Sequence, residues 1–164
     1  MRIFVGEFVC GGGFSRHSID EIPASLRQEG AAMLKAITTD LSQIAHVVAA
    51  VDPRLELELE NVDTVAADGK QALFGQWIAA ARGCDAALIV APENDGVLAK
   101  AVGMLRSAGI DVIAGAGDFL RIASDILLTA RTLRAAGVAH PPYLAVGDNH
   151  CENDLDGYQK YVLK

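Results

Sequence analysis

The sequence contains few of the residues that several classes of protein require. Its three cysteines, Cys10, Cys84 and Cys151, are far apart, and no CxxC or His/Cys pair has zinc spacing, so a structural metal is not expected. Acidic residues outnumber basic ones by 21 to 14. The resulting net charge of −7 argues against a nucleic-acid or anionic-membrane partner, because both require a basic surface. No apolar run approaches the roughly 20 residues of a membrane span.

Targeting signals are also missing from the N-terminal segment. The apolar run of MRIFVGEFVC is too short for a signal peptide and leads straight into glycines. Widely spaced thiols without a disulfide pattern are typical of reducing compartments, so we expect a soluble cytoplasmic protein. What is present is a 164-residue chain with 51% hydrophobic and 21% charged residues, a composition that fits a globular domain of ordinary size.

Short β-rich runs alternate with longer helical runs along the chain. Strands are predicted at 2–9, 46–51, 85–91 and 110–114, with 56–60 and 62–66 as competing candidates for one more. Helices are predicted at 23–44, 70–82, 95–108 and 118–136. This alternation predicts an α/β fold with a doubly wound, mainly parallel sheet, and the run 85–91 is expected to be buried on both faces. Ligands of such sheets bind beyond the carboxyl ends of the strands, so the loops after strands are the candidate site.

The first of these loops contains Gly11, Gly12 and Gly13. Glycines at this position let backbone N–H groups approach a ligand, so the loop is either a plain glycine turn or a substrate-facing loop. A dinucleotide site is disfavoured because the spacing is not GxGxxG and the next helix begins only after residue 23. Residues 15–18 add hydrogen-bond donors, and Arg16 is suited to pair with a carboxylate.

Carboxylates follow two of the predicted strands. Glu7, near the end of the first strand, either faces solvent or binds a substrate amine at the mouth of the sheet. Glu93, Asp95 and Gly96 follow the most apolar strand. Asp95 is also a candidate cap for the next helix, whereas Glu93 lies where an α/β sheet places its ligand. We therefore include all four residues in a predicted substrate-binding set with Gly11, Gly12 and Gly13.

No catalytic residue can be assigned from the sequence. Neither a Ser/His/Asp nor a Cys/His set is visible, and GxSxG and P-loop motifs are missing. Cys10 lies beside the glycines, but nothing basic is fixed near it in sequence. The segment Asp52-Pro53-Arg54 predicts a turn that ends a strand.

The C-terminal segment differs from the rest of the chain. Prolines at 141 and 142 end the last predicted helix, a polar loop is predicted at 147–157, and a strand is predicted at 158–164. A strand of this kind needs a partner, and none follows it. We therefore expect the chain to be the front part of a longer protein.

The order of these motifs resembles that of ATP-grasp ligases followed from their N-terminus. The resemblance runs from the first strand and GGG through DAALIVAPENDG and AGAGD to ASDILLTARTLRAAGV, HPP and YVLK. It covers essentially the whole chain, and its most specific parts are APENDG and the helix that begins at Ser-Asp. It is closest to the branch typified by tyramine–glutamate ligase of methanofuran and methylofuran biosynthesis.

The resemblance implies a Rossmann-like pre-ATP-grasp domain over 1–138, with a linker and the first strand of a truncated ATP-grasp domain over 139–164. It implies a parent enzyme that uses ATP and Mg²⁺ to join a small carboxylate to an amine through an acyl phosphate. Lys164 matches a lysine that binds ATP phosphates. Ile126 stands where a second such lysine often follows the Ser-Asp pair, and we expect it to pack in the core.

Two further expectations follow from the resemblance. The chain alone lacks the family's later nucleotide-binding elements, so it should bind ATP weakly and be catalytically silent. Dimerisation through this domain is common in the family, so a homodimer is expected. The alternative function is a stand-alone Rossmann-like binding or assembly domain without chemistry.

Overall fold

A computed structural model describes residues 1–115 and 118–143. The chain divides into two units, Met1–Leu120 and Arg121–Lys164. The strands are β1 (Arg2–Glu7), β2 (His46–Val51), β3 (Val62–Ala66) and β4 (Ala86–Val90). The α-helices are α1 (Ala24–Ser42), α2 (Leu73–Ala81), α3 (Val97–Ser107), α4 (Phe119–Ala123) and α5 (Ile126–Ala135). None of the helices within the described ranges is long and apolar enough to cross a membrane.

The four strands form one sheet in the order β3-β2-β1-β4, and every pair is parallel. In this register Phe4 lies beside Val48 on one side and beside Ala87 on the other. From β1 the chain moves outward to β2 and β3 and then returns to place β4 on the opposite side of β1. The strand order therefore reverses between β1 and β4, which is where an open α/β sheet forms its ligand crevice.

Alternating residues of the strands supply two separate cores, one on each face of the sheet. Ile3 and Val5 pack with Leu34 of α1 on one face. Phe4 packs with Trp77 of α2 and Leu105 of α3 on the other face. Because side chains along a strand point alternately to opposite faces, a sheet with helices on both faces buries nearly every residue of its central strands. The predicted doubly wound α/β fold is confirmed.

Of the two candidates for a further strand, 56–60 and 62–66, the second forms β3. Val62–Ala66 pairs with β2, whereas 56–60 forms no strand. Leu57 and Leu59 instead pack against the core on the α1 face. The alternation of leucine with glutamate therefore reflects an irregular segment that keeps one side apolar and the other in solvent.

Two predicted strands are shorter than the sequence indicated. The first ends at Glu7 because Val9–Gly13 forms a π-helical turn. The run 110–114 contributes only an isolated parallel bridge between Val112 and Ala87. The Arg106 guanidinium donates to the carbonyl oxygens of Val112, Ala114 and Gly115 at 3.0–3.1 Å, so a side chain uses acceptors that a longer strand would pair with backbone N–H groups.

The expectation that the run 85–91 is buried on both faces was wrong. Within β4 only Ala87 is fully buried, and the other residues are half-buried. Ala87 and Ile89 pack against the core shared with α2 and α3, whereas the buried cluster on the α1 face includes no described residue of β4.

The last predicted helix, 118–136, is divided into α4 and α5 at Ser124 and Asp125. Asp125 adopts an extended backbone, and its carboxylate accepts a hydrogen bond from the Leu128 backbone N–H at 2.8 Å. It is therefore the N-cap of α5, a position that favours aspartate. Ile126 begins α5 with its side chain 62% exposed, so the expectation that it packs in the core was wrong.

Some predictions fall outside the described residues. They are the polar loop at 147–157, the strand at 158–164, Cys151 and the proposed ATP-binding residue Lys164. The predicted domain boundary at residue 138 stays a prediction.

Candidate functional site

The candidate site lies at the carboxyl edge of the sheet, where β1 and β4 are neighbours. Glu7 is the last residue of β1 and pairs with Val90, the last residue of β4. The Phe8 backbone N–H also donates to the Val90 carbonyl oxygen at 2.8 Å. The loops that follow these two strands therefore start side by side, on the two sides of the point where the strand order reverses.

Glu7 has a structural role that neither sequence interpretation anticipated. Its side chain is buried, which excludes the solvent-facing alternative. One carboxylate oxygen accepts from the Val9 backbone N–H at 3.1 Å, and the other accepts from the Cys10 N–H at 2.7 Å. These bonds satisfy donors at the start of the turn and compensate the burial of the charge. Whether Glu7 also binds a substrate amine stays a prediction.

The turn Val9–Gly13 is held by close packing, so it is not a freely flexible glycine loop. Gly12 has φ +97°, and a Cβ built on it would lie 2.8 Å from the Ala67 Cβ. A Cβ on Gly13 would lie 2.5 Å from the Phe8 carbonyl oxygen. The Gly11 carbonyl oxygen accepts a hydrogen bond from Trp77 Nε1 at 2.9 Å. Each glycine therefore allows a contact that a side chain would prevent.

Several backbone donors of this region are used within the protein. Besides Val9 and Cys10, the N–H of Gly13 donates to the Phe8 oxygen at 2.8 Å, and that of Ser15 donates to the Gly12 oxygen at 3.1 Å. Phosphate-binding loops work by directing several backbone N–H groups at the ligand. The turn therefore supplies shape to the site, and recognition of a ligand falls mainly to side chains.

Cys10 is unsuited to nucleophilic chemistry. It is fully buried, and this burial, with the nearby carboxylates of Glu7 and Asp52, raises the pKa of the thiol well above its ordinary value. Because the thiolate is the reactive form, a thiol that stays protonated is inert.

Arg54 fixes the segment that follows the glycine turn. Its guanidinium donates to the carbonyl oxygens of His17 at 2.6 Å and Phe14 at 3.0 Å. The same group forms a forked interaction with the Asp52 carboxylate, with Nη2 to Oδ2 at 2.6 Å and Nε to Oδ1 at 2.9 Å. The predicted strand-ending turn is confirmed, since Asp52 caps the 3-10 turn Pro53–Leu55, and the turn also anchors a loop distant in sequence.

Asp52 is ionised in this arrangement although its side chain is only 2% exposed. Burial by itself would raise the pKa of its carboxyl, but the hydrogen bonds and the charge of Arg54 outweigh burial and lower the pKa below its ordinary value. The same pair raises the pKa of Arg54. The loop is therefore held by a charge-assisted network with its acidic end inside the protein.

A cleft of about 370 Å³ lies beside this segment. Its walls come from the glycine turn with the following loop, from residues 71–74 ahead of and within α2, and from α3. Arg16 and Lys100 supply charged groups, His17 adds an imidazole, and Phe74 and Met104 contribute apolar surface. The volume is within the range of small-molecule sites, about 300–1,000 Å³.

The loop after β4 takes a different form from the one predicted. Asp95 does not cap α3, because its own backbone is left-handed at φ 56° and the N-cap is Gly96, which has no side chain. Glu93 and Asp95 are exposed. Of the predicted substrate-binding residues, the cleft is lined by Gly12 and Gly13 but not by Gly11, Glu7 or the 93–96 loop.

Sequence reasoning missed Lys100, the 71–74 segment and the anchoring role of Arg54. Lys100 carried a weak signal, since it lies one turn into the helix that follows a candidate loop. Arg54 and its carbonyl partners are 37 and 40 residues apart in sequence, so no local pattern could connect them.

A bound metal or nucleotide was tested against the same residues. No group of three or more His, Cys, Asp or Glu side chains within 1–115 and 118–143 could hold a metal ion. The backbone N–H groups of Gly13 and Ser15 are used within the loop and do not form a phosphate cradle. Any such site would depend on other residues.

The geometry defines a Rossmann-like α/β domain with a reversal of strand order between β1 and β4 and a cleft beside the loop after β1. Residues 45–118 match the family model of the pre ATP-grasp 3 domain, a stretch that contains β2, β3, β4, α2 and α3. The matched stretch is less than half of the chain, and the match does not identify the tyramine–glutamate ligase branch. Comparisons with curated proteins and with solved structures found no significant match.

Gly12→Ala is expected to destabilise the domain. The added Cβ meets Ala67, and the left-handed backbone is unfavourable for alanine, so the free energy of unfolding should fall by about 2 kcal/mol or more. Gly103→Ala in α3 is the matched control, because its Cβ would meet nothing within 4 Å. Urea unfolding of both variants measures the difference, and equal stabilities would contradict the packed turn.

Arg54→Lys is expected to lower the free energy of unfolding by about 1–3 kcal/mol, because one ammonium group cannot replace the forked contact with Asp52 and both carbonyl contacts. Arg82→Lys, at an exposed position after α2, controls for the change of side chain. Denaturant unfolding should separate the two variants, and an unaffected Arg54→Lys would show that the anchor is dispensable.

Stability should depend on pH through Asp52. Its pKa is lowered in the folded state, so its contribution is complete above the ordinary pKa of about 3.9 and is lost as pH falls through the lower folded value. Asp52→Asn should be less stable near neutrality and lose less stability on acidification. Unfolding at a series of pH values tests this, with exposed Asp20→Asn as control; parallel acid profiles for wild type and Asp52→Asn would refute it.

Proposed function

We propose that this chain is the substrate-side, pre-ATP-grasp part of an ATP-dependent ligase that joins a carboxylic acid to an amine through an acyl phosphate. The observation that carries the proposal is the reversal of strand order between β1 and β4, in a domain whose residues 45–118 match a pre-ATP-grasp family. ATP-grasp chemistry requires a second, nucleotide-binding part. In this proposal that part depends on residues other than those described, and the described domain binds the substrates.

The proposal gives the loops different roles. The Gly11–Gly13 turn forms the floor of the crevice, and Glu7 shapes that turn through its bonds to Val9 and Cys10. The Glu93, Asp95 and Gly96 loop lies after the neighbouring strand and presents exposed carboxylates to an incoming amine. Lys164 is proposed to contact ATP phosphates. Mg²⁺ is assigned to no residue within 1–115 and 118–143.

The resemblance to tyramine–glutamate ligase supports a finer proposal. On that basis the parent protein acts in the cytoplasm, in the biosynthesis of a C1-carrier cofactor related to methanofuran. Glutamate and tyramine are accordingly the first acid and amine to be tested.

The decisive experiment uses the longest natural form of the protein that contains this chain. Incubated with ATP, Mg²⁺, an acid and an amine from a panel that begins with glutamate and tyramine, it should release ADP and phosphate together with an amide. The isolated 1–164 chain serves as the control and should show no turnover. A folded long form that binds no nucleotide would defeat the ligase proposal and favour a stand-alone binding or assembly domain.

A further inference from the structure

The cleft lined by Arg16 and Lys100 is positively charged, although the protein as a whole is acidic. The chain has a net charge of −7, yet no acidic residue lines this cleft among the residues described. Neither Arg16 nor Lys100 forms an ion pair or side-chain hydrogen bond within the described part of the chain. Two cations that share a cleft without a counter-charge create a local positive potential, which favours an anionic ligand.

A second, larger cleft shows that this arrangement is not general. It has a volume of about 460 Å³ and lies along β3 and α2. It also contains a lysine, Lys70, but the Lys70 ammonium pairs with Asp68 at 2.6 Å. The charge of the two clefts therefore favours the smaller one as the anion site.

The smaller cleft also has apolar lining residues. Leu73 and Phe74 come from α2, and Met104 lies one turn after Lys100 on α3, while Ser15, His17 and Gln71 are its uncharged polar members. Phe74 is held edge-on against the buried Trp77, with ring centroids 5.7 Å apart, and Leu73 and Phe74 both pack against the core, so the α2 side of the cleft keeps its shape. An apolar wall binds an alkyl or aromatic body by removing its surface from water.

The chemistry of the donors favours a carboxylate over a phosphate. Phosphate sites gather several backbone N–H groups, whereas here the N–H groups of Gly13, Ser15 and His17 donate to carbonyl oxygens of the same loop. The cations offered are side chains, and a guanidinium pairs with either oxyanion through two parallel hydrogen bonds, so the preference for a carboxylate rests on the occupied backbone donors. Arg54 fixes the backbone on both sides of Arg16 through the Phe14 and His17 oxygens, so the donor is presented from an ordered loop.

We propose that this cleft binds a carboxylic acid with an apolar or aromatic body, with the carboxylate between Arg16 and Lys100 and the body against Leu73, Phe74 and Met104. Binding of such an acid is a property of the described domain itself. Its assignment as the acid substrate of amide formation rests on the proposed function. Glutamate carries an ammonium group and has no apolar body, so it would contact the cations of the cleft but not its apolar residues.

The test uses the ¹⁵N-labelled 1–164 chain and 3-phenylpropionate as the probe. Backbone amide shifts followed during titration should change at residues 15–17 and 73–74. Acetate keeps the charge but lacks the body, and phenethylamine keeps the body but reverses the charge, so both should bind at least about tenfold more weakly. Phenyl phosphate carries a phosphate in place of the carboxylate, and it should bind no more tightly than 3-phenylpropionate.

Variants then identify the residues. Arg16→Gln and Lys100→Gln should each raise the dissociation constant for 3-phenylpropionate about tenfold or more, because each removes a charge-assisted contact. Both side chains are exposed, so the fold should persist, and amide-shift dispersion verifies that it does. Lys35→Gln, on the exposed side of α1, is the control and should leave binding unchanged. Lys100→Glu should additionally reverse the preference between 3-phenylpropionate and phenethylamine.

Several outcomes would overturn the proposal. They are the absence of binding at millimolar probe, shifts confined to another surface, tighter binding of phenethylamine or phenyl phosphate, and affinity unaffected by Arg16→Gln and Lys100→Gln. The assay contains no ATP, so its failure leaves amide-forming activity of the longer protein unaffected. Conversely, if the 1–164 chain binds 3-phenylpropionate but the longer protein shows no turnover, the carboxylate site is supported and the ligase function is rejected.

Discussion

The forked ion pair between Asp52 and Arg54 connects the sheet to the candidate site. Asp52 follows β2 and is buried, so its charge must be compensated inside the protein. Arg54 provides that compensation and uses its remaining donors on the carbonyl oxygens of Phe14 and His17. A requirement of the core, the neutralisation of one buried carboxylate, therefore also determines where the loop after the glycine turn lies and where it presents Arg16.

Glu7 and the three glycines form the tight, buried turn at the end of β1. The strand must stop and turn sharply beneath Trp77, and the three glycines allow the backbone to approach Trp77, Ala67 and Phe8 closely. Glu7 supplies acceptors for the donors that the turn would otherwise leave buried. Glu7 and the three glycines, which the sequence suggested as ligand contacts, thus mainly form the turn. The cations without a partner among the described residues, Arg16 and Lys100, lie in the cleft next to it.

The reversal of strand order explains why loops that are distant in sequence meet. β1 and β4 are adjacent although more than 80 residues separate their starting positions, because the chain builds β2 and β3 on one side before crossing to the other. Parallel strands end at the same edge, so the loops after β1 and β4 and the start of α3 approach one another. This placement is the structural basis of the substrate-side role proposed above.

The sequence by itself determined the elements and the fold class. Periodicity located β2 to the residue and the first three helices to within a few residues, since burial of one face or two imposes period 3.6 or 2 on the pattern, but it joined α4 and α5 into one helix. It could not determine the extent of the run 110–114, the burial of Glu7, the partners of Arg54, or the meeting of Arg16 and Lys100 in one cleft. Those depend on contacts between segments tens of residues apart, whose geometry exists only once the sheet has assembled its strands in the order β3-β2-β1-β4.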